Sequence, residues 1–548
     1  MKLLKSRIFQ FLAIAAVLFT TVATTVVNTN SNYFEIAKNI EIFANLYKEV
    51  NSGYVDELDP AKLMKTGVDA MLESLDPYTN YISEGQIEGY RFMTEGRYNG
   101  IGADIKIIDD VPTLVAPYKD APADKAGLKA GDKILKIDGK STMGKNTEEI
   151  HAFIKGYPGT EVVMTIDRPG EKKEMDVVLV RDEVSITNVP YSGMVSEDVG
   201  YVALTTFTRQ AGRNVGNAVR DLKVEQPDLK GVILDLRGNG GGLLAEAVNV
   251  SNVFVGKNEL VVSTKGKVKD WDRSFKTLNM PVDEQVPVVV LINKNSASAS
   301  EIVSGVIQDL DRGVLIGQRS YGKGLVQNTK DIGYNAKVKM TTAKYYIPSG
   351  RCIQSIEYEN GEPVDIPDDK RTPFKTRNGR TVLDGGGVKP DIVLDPDAGS
   401  EILKIMEEKY IVFNYVTEWA LKNPEVTDAQ AFNFNDWDGF IQYLEKIKFN
   451  YDTESEQLLD KLKKESSEHN YLTETDIAAL ENKIVAAKKS ELAKHKDLIV
   501  GMIEKEIVSR SLYERGRIQI GLRNDKEIQE SLSLFNDQAR YEKILKKK

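Results

Sequence analysis

Histidine is almost absent from this chain of 548 residues. There are three, His151, His469 and His495, and none lies between positions 152 and 468. A Ser-His-Asp triad with its nucleophile in that stretch would have to take its base from a distant part of the chain. Cysteine is rarer still. The single Cys352 excludes an internal disulfide. With no histidine near it in sequence, it reads as a packed thiol rather than a nucleophile. One cysteine also fits export to an oxidising compartment. A basic excess is missing too. The net charge is −9 and the pI about 5.4, so there is no electrostatic footprint for nucleic acid.

The N-terminus carries Lys2, Lys5 and Arg7, then an apolar run from Ile8 to about Val27, diluted by Thr20, Thr21, Thr24 and Thr25. This reads as a signal peptide or an uncleaved signal-anchor, close to the roughly 20 residues that span a bilayer. No clear Ala-x-Ala site follows, which favours an anchor. No cysteine follows the run either, which argues against a lipoprotein. Residues 31–95 have helical periodicity (Ile36, Ile40, Phe43, Leu46 and Tyr47, then Leu63, Val68, Met71 and Leu72 after Asp59-Pro60), a pattern for packing or dimerising.

From about Tyr98 to Val184 short β-like runs alternate with Gly-rich turns and one helix, Thr147–Ile154. Tyr98-Asn99-Gly100-Ile101-Gly102 is a Gly-bracketed turn whose backbone N–H groups suit a carboxylate. Ala121 to Gly139 follows as short helix, tight turn and strand. This module resembles a PDZ domain of the circularly permuted bacterial kind. The resemblance implies that it binds an extended C-terminal peptide as an added strand, with Gly100, Ile101 and Gly102 at the carboxylate.

Residues 185–396 alternate between near-continuous Val/Ile/Leu runs and helices, the pattern of a sheet covered by helices. Beyond Asp397 the chain is dense in Lys and Glu with helical spacing. That segment reads as amphipathic surface helices without a chemical motif.

Three pieces of the α/β region carry chemistry. Val286–Leu310 is strand, turn and helix, with Asn295-Ser296-Ala297-Ser298-Ala299-Ser300-Glu301 at the junction. A hydroxyl there projects from the C-terminal edge of a sheet. The first helical amide, that of Ala299, lacks an internal partner and can meet an oxyanion. Read alone, Ser298-x-x-Glu301 is a capping box, and Ser296 and Ser300 are equally open as caps or nucleophiles. The second piece, Val232 to Leu244, runs from a strand into Gly238-Asn239-Gly240-Gly241-Gly242. The dinucleotide fingerprint needs glycine at position 243, which is Leu, so the turn reads as an oxyanion nest. The third is Tyr321-Gly322-Lys323-Gly324, 25 positions after Ser298 (323 − 298). Its glycines let a lysine approach another backbone closely. A lysine acting as base needs apolar cover, which Tyr321, Leu325 and Val326 supply, and Gln327 can hold its amine.

These pieces in this order resemble the C-terminal processing peptidases, also called tail-specific proteases. The match runs from about residue 35 to 395. It includes Asp235-Leu236-Arg237, Ser296 to Glu301, Tyr321 to Gly324, Gln327, Tyr345–Gln354 around Pro348-Ser349-Gly350-Arg351, and Gly385 to Asp391. Gly240 departs from it, because the family usually has proline there.

The resemblance implies a multidomain α/β chain. Its core is ClpP/crotonase-like, with an inserted PDZ domain, an N-terminal helical segment and a C-terminal helical extension. The implied limits are 1–30 signal, 31–96 helical region, 97–184 PDZ domain, 185–396 protease core and 397–548 extension. It further implies Ser298 as nucleophile, Lys323 as general base, Gln327 orienting it, and the amides of Gly241 and Ala299 as oxyanion hole, with no metal or cofactor. The implied partners are unstructured C-terminal tails. The helical regions are candidate surfaces for a second copy or an adaptor, and the membrane is met only through the N-terminal segment. The implied location is a bacterial envelope, in the periplasm. Two other readings are a PDZ adaptor with an inactive core and an esterase or amidase for small molecules.

Overall fold

The computed structural model describes residues 33–354, 358–359, 362–364, 367–395, 401–451, 453–469 and 473–546. The apolar run Ile8–Val27 lies outside the described residues. Among those described, no helix is long and apolar enough to cross a membrane. The chain divides into two units, residues 1–81 with 337–339, and all the rest.

The first unit contains a helix over 33–53 and a second over Pro60–Glu73. Asp59 caps the second by accepting from the Ala61 and Lys62 amides, and Pro60 occupies the first helical position, where its missing N–H costs nothing.

In the second unit, the central sheet has six strands in the order Tyr191–Met194, Val199–Ala203, Gly231–Asp235, Val288–Ile292, Val314–Gly317 and Ile392–Val393. The first pairing is antiparallel and the others parallel, with Leu234 opposite Val290 and Val290 opposite Leu315. Side chains alternate between the faces. Val202, Val232, Leu234, Val290 and Ile292 pack with residues of the helices Ala211–Glu225, Leu244–Phe254 and Ala299–Asp309.

Tyr201, Ile233, Val289, Leu291, Val314 and Ile316 face the other way. Their cover comes from the end of the chain: Ile528, Leu534 and Phe535 of helix Lys526–Asn536 and Tyr541 of helix Gln538–Leu545. The Tyr541 hydroxyl donates to the Val288 carbonyl and accepts from its N–H, both at 3.0 Å. The Phe535 ring lies on Gly231, where a Cβ would come within 2.3 Å of it. The last helices are therefore the second layer of the core, not the surface helices their composition suggests. Their acidic and basic residues mask an apolar face that only the sheet reveals. Farther back, 401–521 contributes a separate helical core around Met406, Val416, Phe440, Ile499 and Ile503.

The β-rich module forms its own sheet, in the order Ala103–Ile108, Val111–Pro117, Lys133–Ile137, Glu161–Asp167 and Met175–Val180. Ile105, Leu114, Ile134, Ile150 and Met164 fill its core. The chain enters on Arg97–Gly100 and leaves on Asp182–Ser185, paired antiparallel, so both connections share one two-stranded stem.

Candidate active site

Ser298 sits where the strand Val288–Ile292 turns into the helix Ala299–Asp309. Its φ of 55° and ψ of −111° lie in a region that L-residues avoid. The main chain is held on both sides. The Ser298 N–H donates to Glu301 Oε2 at 2.8 Å. Its carbonyl accepts from the Tyr345 hydroxyl at 3.1 Å. The preceding amide, Ala297, donates to the Asn239 carbonyl at 3.0 Å.

The three serines of this turn have different surroundings. Ser296 and Ser300 are fully buried. The Ser296 hydroxyl donates to the Leu236 carbonyl and that of Ser300 to the Asn239 carbonyl, each at 2.8 Å. Both tie the serine turn to the glycine turn. Ser298 is only partly buried, and its hydroxyl makes no cap hydrogen bond. Of the capping box, the firm half is Glu301 reaching back to the Ser298 N–H.

Lys323 follows the strand Val314–Gly317, in a turn where Gly322 has φ 94°. Glu301 organises this turn as well. Its Oε1 accepts from the Ser320 hydroxyl at 2.6 Å and the Gly322 N–H at 2.7 Å, and its Oε2 accepts from the Lys323 N–H at 2.8 Å. Burial pushes the Glu301 carboxyl above its ordinary range, and the donors from Ser320, Lys323, Gly322 and Ser298 oppose that push without cancelling it. The Tyr345 hydroxyl lies 2.7 Å from the Lys323 carbonyl, so one proton is shared between the carbonyls of Lys323 and Ser298. Gln327 donates from Nε2 to Thr341 Oγ1 at 3.2 Å, across the hairpin Leu325–Gly333 and Ala336–Tyr346.

The glycine turn completes the site. Gly241 has φ 100°, and a Cβ there would stand 2.8 Å from the Ala297 carbonyl oxygen and 2.9 Å from both Ala299 N and Ser298 Cβ. Only glycine fits against the Ser298–Ala299 peptide. The Gly241 N–H donates to Asn239 Oδ1 at 2.9 Å. Gly240 has open space where a side chain would begin. Segments 235–242, 293–301 and 319–324 thus meet at one edge of the sheet. Among the described residues, no group of acidic, histidine or cysteine side chains is placed to hold a metal.

Three family models match. Peptidase family S41 matches residues 198–362, a PDZ domain 113–168, and the probable PDZ-protease C-terminal helical domain 402–535. A carboxy-terminal-processing protease of Bartonella bacilliformis is 38% identical over 330 residues, spanning 60% of this chain and 75% of the relative. The carboxy-terminal processing protease CtpA of Bacillus subtilis is 30% identical over 429 residues, spanning 76% and 89%. A solved photosystem II D1 C-terminal processing protease is 25% identical, spanning 66% of this chain and 94% of its own, with a TM-score of 0.36. This chain belongs to the carboxy-terminal processing proteases of peptidase family S41. Its fold is that of an S41 protease with a PDZ domain, N-terminal helices and a C-terminal helical domain.

In the PDZ domain of this S41 protease, the Ile101 side chain is fully buried in the core, so only its backbone is on offer to a ligand. Its carbonyl accepts from the Ala123 N–H at 2.7 Å. Gly102 has φ 73°, and a Cβ there would lie 2.2 Å from that of Ala121. Burial pushes the Tyr98 phenol up to about 12, against the opposing pull of the Ala103 and Gly102 amides.

Glu301, Tyr345 and Asn239 join the site without having been singled out from sequence. Glu301 carries a legible signal, its place in the capping box, but the same signal marks ordinary helix starts. Tyr345 carries none beyond preceding Pro348-Ser349-Gly350.

Proposed function

We propose that this S41 protease is an endopeptidase whose Ser298 and Lys323 act as a dyad on proteins captured by their C-terminal tails. The observation that carries it is the double bridging of these two residues: Glu301 Oε2 holds both N–H groups and the Tyr345 hydroxyl lies on both carbonyls. The different fates of the three serines support Ser298, because the hydroxyls of Ser296 and Ser300 are committed to carbonyls.

Ser298 Oγ attacks the scissile carbonyl as Lys323 Nζ takes its proton. The oxyanion settles at the Ala299 and Gly241 amides. Collapse expels the amine, which receives the proton from Lys323, and leaves an acyl-enzyme on Ser298. Water, deprotonated by Lys323, then releases the new C-terminus and restores the serine. Gln327 steadies the lysine. The Ala103–Ile108 strand, at the edge of its sheet, takes the tail as an added strand, with its carboxylate at Gly100–Gly102. The proposed limits are 97–184 for the PDZ domain and 185–396 for the protease core. The N-terminal segment, as a signal or anchor, delivers the enzyme to the periplasmic side of the envelope.

The test is mass spectrometry of products from disordered peptides that differ only at the C-terminus, with wild type and Ser298→Ala. Cleavage that depends on the tail and vanishes with Ser298→Ala is expected. Turnover indifferent to the C-terminus refutes tail capture, and turnover by Ser298→Ala refutes the nucleophile.

A further inference from the structure

Arg237 ends the Asp235-Leu236-Arg237 segment and leads into the glycine turn. Its guanidinium is 20% exposed and gripped along two edges. Asp235 takes one: Nε lies 3.0 and 3.1 Å from its carboxylate oxygens, and Nη2 lies 2.6 Å from Oδ2. The other edge belongs to the C-terminal helical region. Nη1 lies 2.7 Å from Asp525 Oδ2 and 3.3 Å from Glu527 Oε2. Asp525 has a second task, because its Oδ1 caps the helix Lys526–Asn536 by accepting from the Glu527 and Ile528 amides. That helix is fixed to the sheet by Ile528, Leu534 and Phe535.

From Arg237 onward the turn has little freedom. The Gly238 N–H donates to Asn293 Oδ1 at 3.0 Å. The Asn239 carbonyl receives the Ala297 N–H and the Ser300 hydroxyl, and Gly241 lies against the Ser298–Ala299 peptide. A shift of Arg237 therefore moves the residues that build the oxyanion side of the site.

We propose that Asp525 and Glu527 are positioning residues for the protease reaction: through Arg237, the C-terminal helical region sets the glycine turn at which the oxyanion forms. This rests on the reading of Ser298 as nucleophile. A turn misplaced by about 1 Å stabilises the transition state less while leaving substrate binding intact, and such errors cost roughly 100-fold in rate.

The test uses the full chain with Asp525→Asn and Glu527→Gln, singly and together, on a disordered peptide substrate. Asn is itself a good N-cap, so Asp525→Asn removes charge while keeping the cap. Three quantities are read: kcat, KM, and the rate at which a fluorophosphonate labels Ser298, since its phosphoryl oxygen occupies the oxyanion position. In the double variant kcat and labelling should fall together by roughly 10- to 100-fold with KM within about twofold. Asp525→Glu, which keeps the charge, should recover part of the loss. A lowered melting temperature with unchanged kcat and labelling overturns the proposal. If the double variant does not fold, Glu527→Gln decides by the same readings, a loss in kcat supporting the brace and an unchanged kcat rejecting it. A wild-type enzyme that labels elsewhere than Ser298 instead refutes the dyad.

Discussion

The main chains of Ser298 and Lys323 share two side-chain partners, Glu301 and Tyr345. Glu301 Oε2 accepts from both N–H groups at 2.8 Å, and the Tyr345 hydroxyl lies 3.1 and 2.7 Å from their carbonyls. The serine comes from the end of one parallel strand and the lysine from beyond the next. Two buried side chains fix their register more tightly than sheet geometry alone. Glu301 also explains how a non-glycine residue keeps φ 55° at position 298: its grip on the amide offsets local strain of about 1–3 kcal/mol.

Tyr345→Phe removes the shared hydroxyl: the Ser298 carbonyl keeps the Glu301 and Ile302 amides, both at 2.9 Å, whereas the Lys323 carbonyl loses the hydroxyl that meets it at 2.7 Å. A buried unsatisfied carbonyl costs about 1–3 kcal/mol. Unfolding in urea should show a loss of that size, and kcat should fall by roughly tenfold with KM little changed.

Glu301→Gln replaces an all-acceptor group by one with two donors, facing amides that also donate. Cleavage should drop by at least roughly 100-fold. Burial raises the Glu301 carboxyl in the fold, so the folded state holds this proton more readily than the unfolded chain. This group's contribution to stability is therefore fully present below the unfolded value, and is lost as pH rises through the folded one. Activity runs the other way, since a proton on Glu301 displaces an amide donor. Relative to Glu301→Gln, acidification should stabilise the wild type while slowing it. Stability and kcat falling together on acidification would refute this assignment.

Gly241→Ala forces a Cβ to within 2.8–2.9 Å of Ala297 O, Ala299 N and Ser298 Cβ, two of them backbone atoms that cannot swing aside, at φ 100°. The serine turn must move. Fluorophosphonate labelling of Ser298 should fall by roughly 100-fold or more. Gly240→Ala, with nothing within 4 Å, should label at close to the wild-type rate.

Tyr541→Phe tests whether the last helix belongs to the core. It leaves both the N–H and the carbonyl of Val288 without their partner. Denaturant unfolding should report a loss of about 1–3 kcal/mol, in a transition that the protease core shares. A change confined to a separate helical transition would contradict the two-layer core.

Much of this architecture is legible in the sequence. Val288–Ile292 is apolar at every position because both faces of a parallel sheet are covered, and that pattern survives in any context. What covers the second face is not legible, because Ile528, Phe535 and Tyr541 lie in helices that also carry Lys526, Glu527, Glu530, Arg540, Glu542 and Lys543. The strand-to-helix junction at Ser298 is legible too, but not which serine faces outward. That depends on the carbonyls of Leu236 and Asn239, contributed by a segment about 60 residues away. Glu301 shows the same limit: a capping box is local, whereas burial against Ser320, Gly322 and Lys323 is tertiary. The clamp on Arg237 joins residues 290 positions apart, which no local pattern signals.

In the proposed dyad lysine, not histidine, is the base. The most direct test compares kcat for the wild type, Lys323→Ala, and a variant with His151, His469 and His495 all replaced by glutamine. The histidine-free enzyme should keep its kcat, while Lys323→Ala should lose roughly 10⁴-fold or more with an unchanged melting temperature. A lysine variant that still cleaves, or a histidine-free enzyme whose kcat collapses, would contradict it.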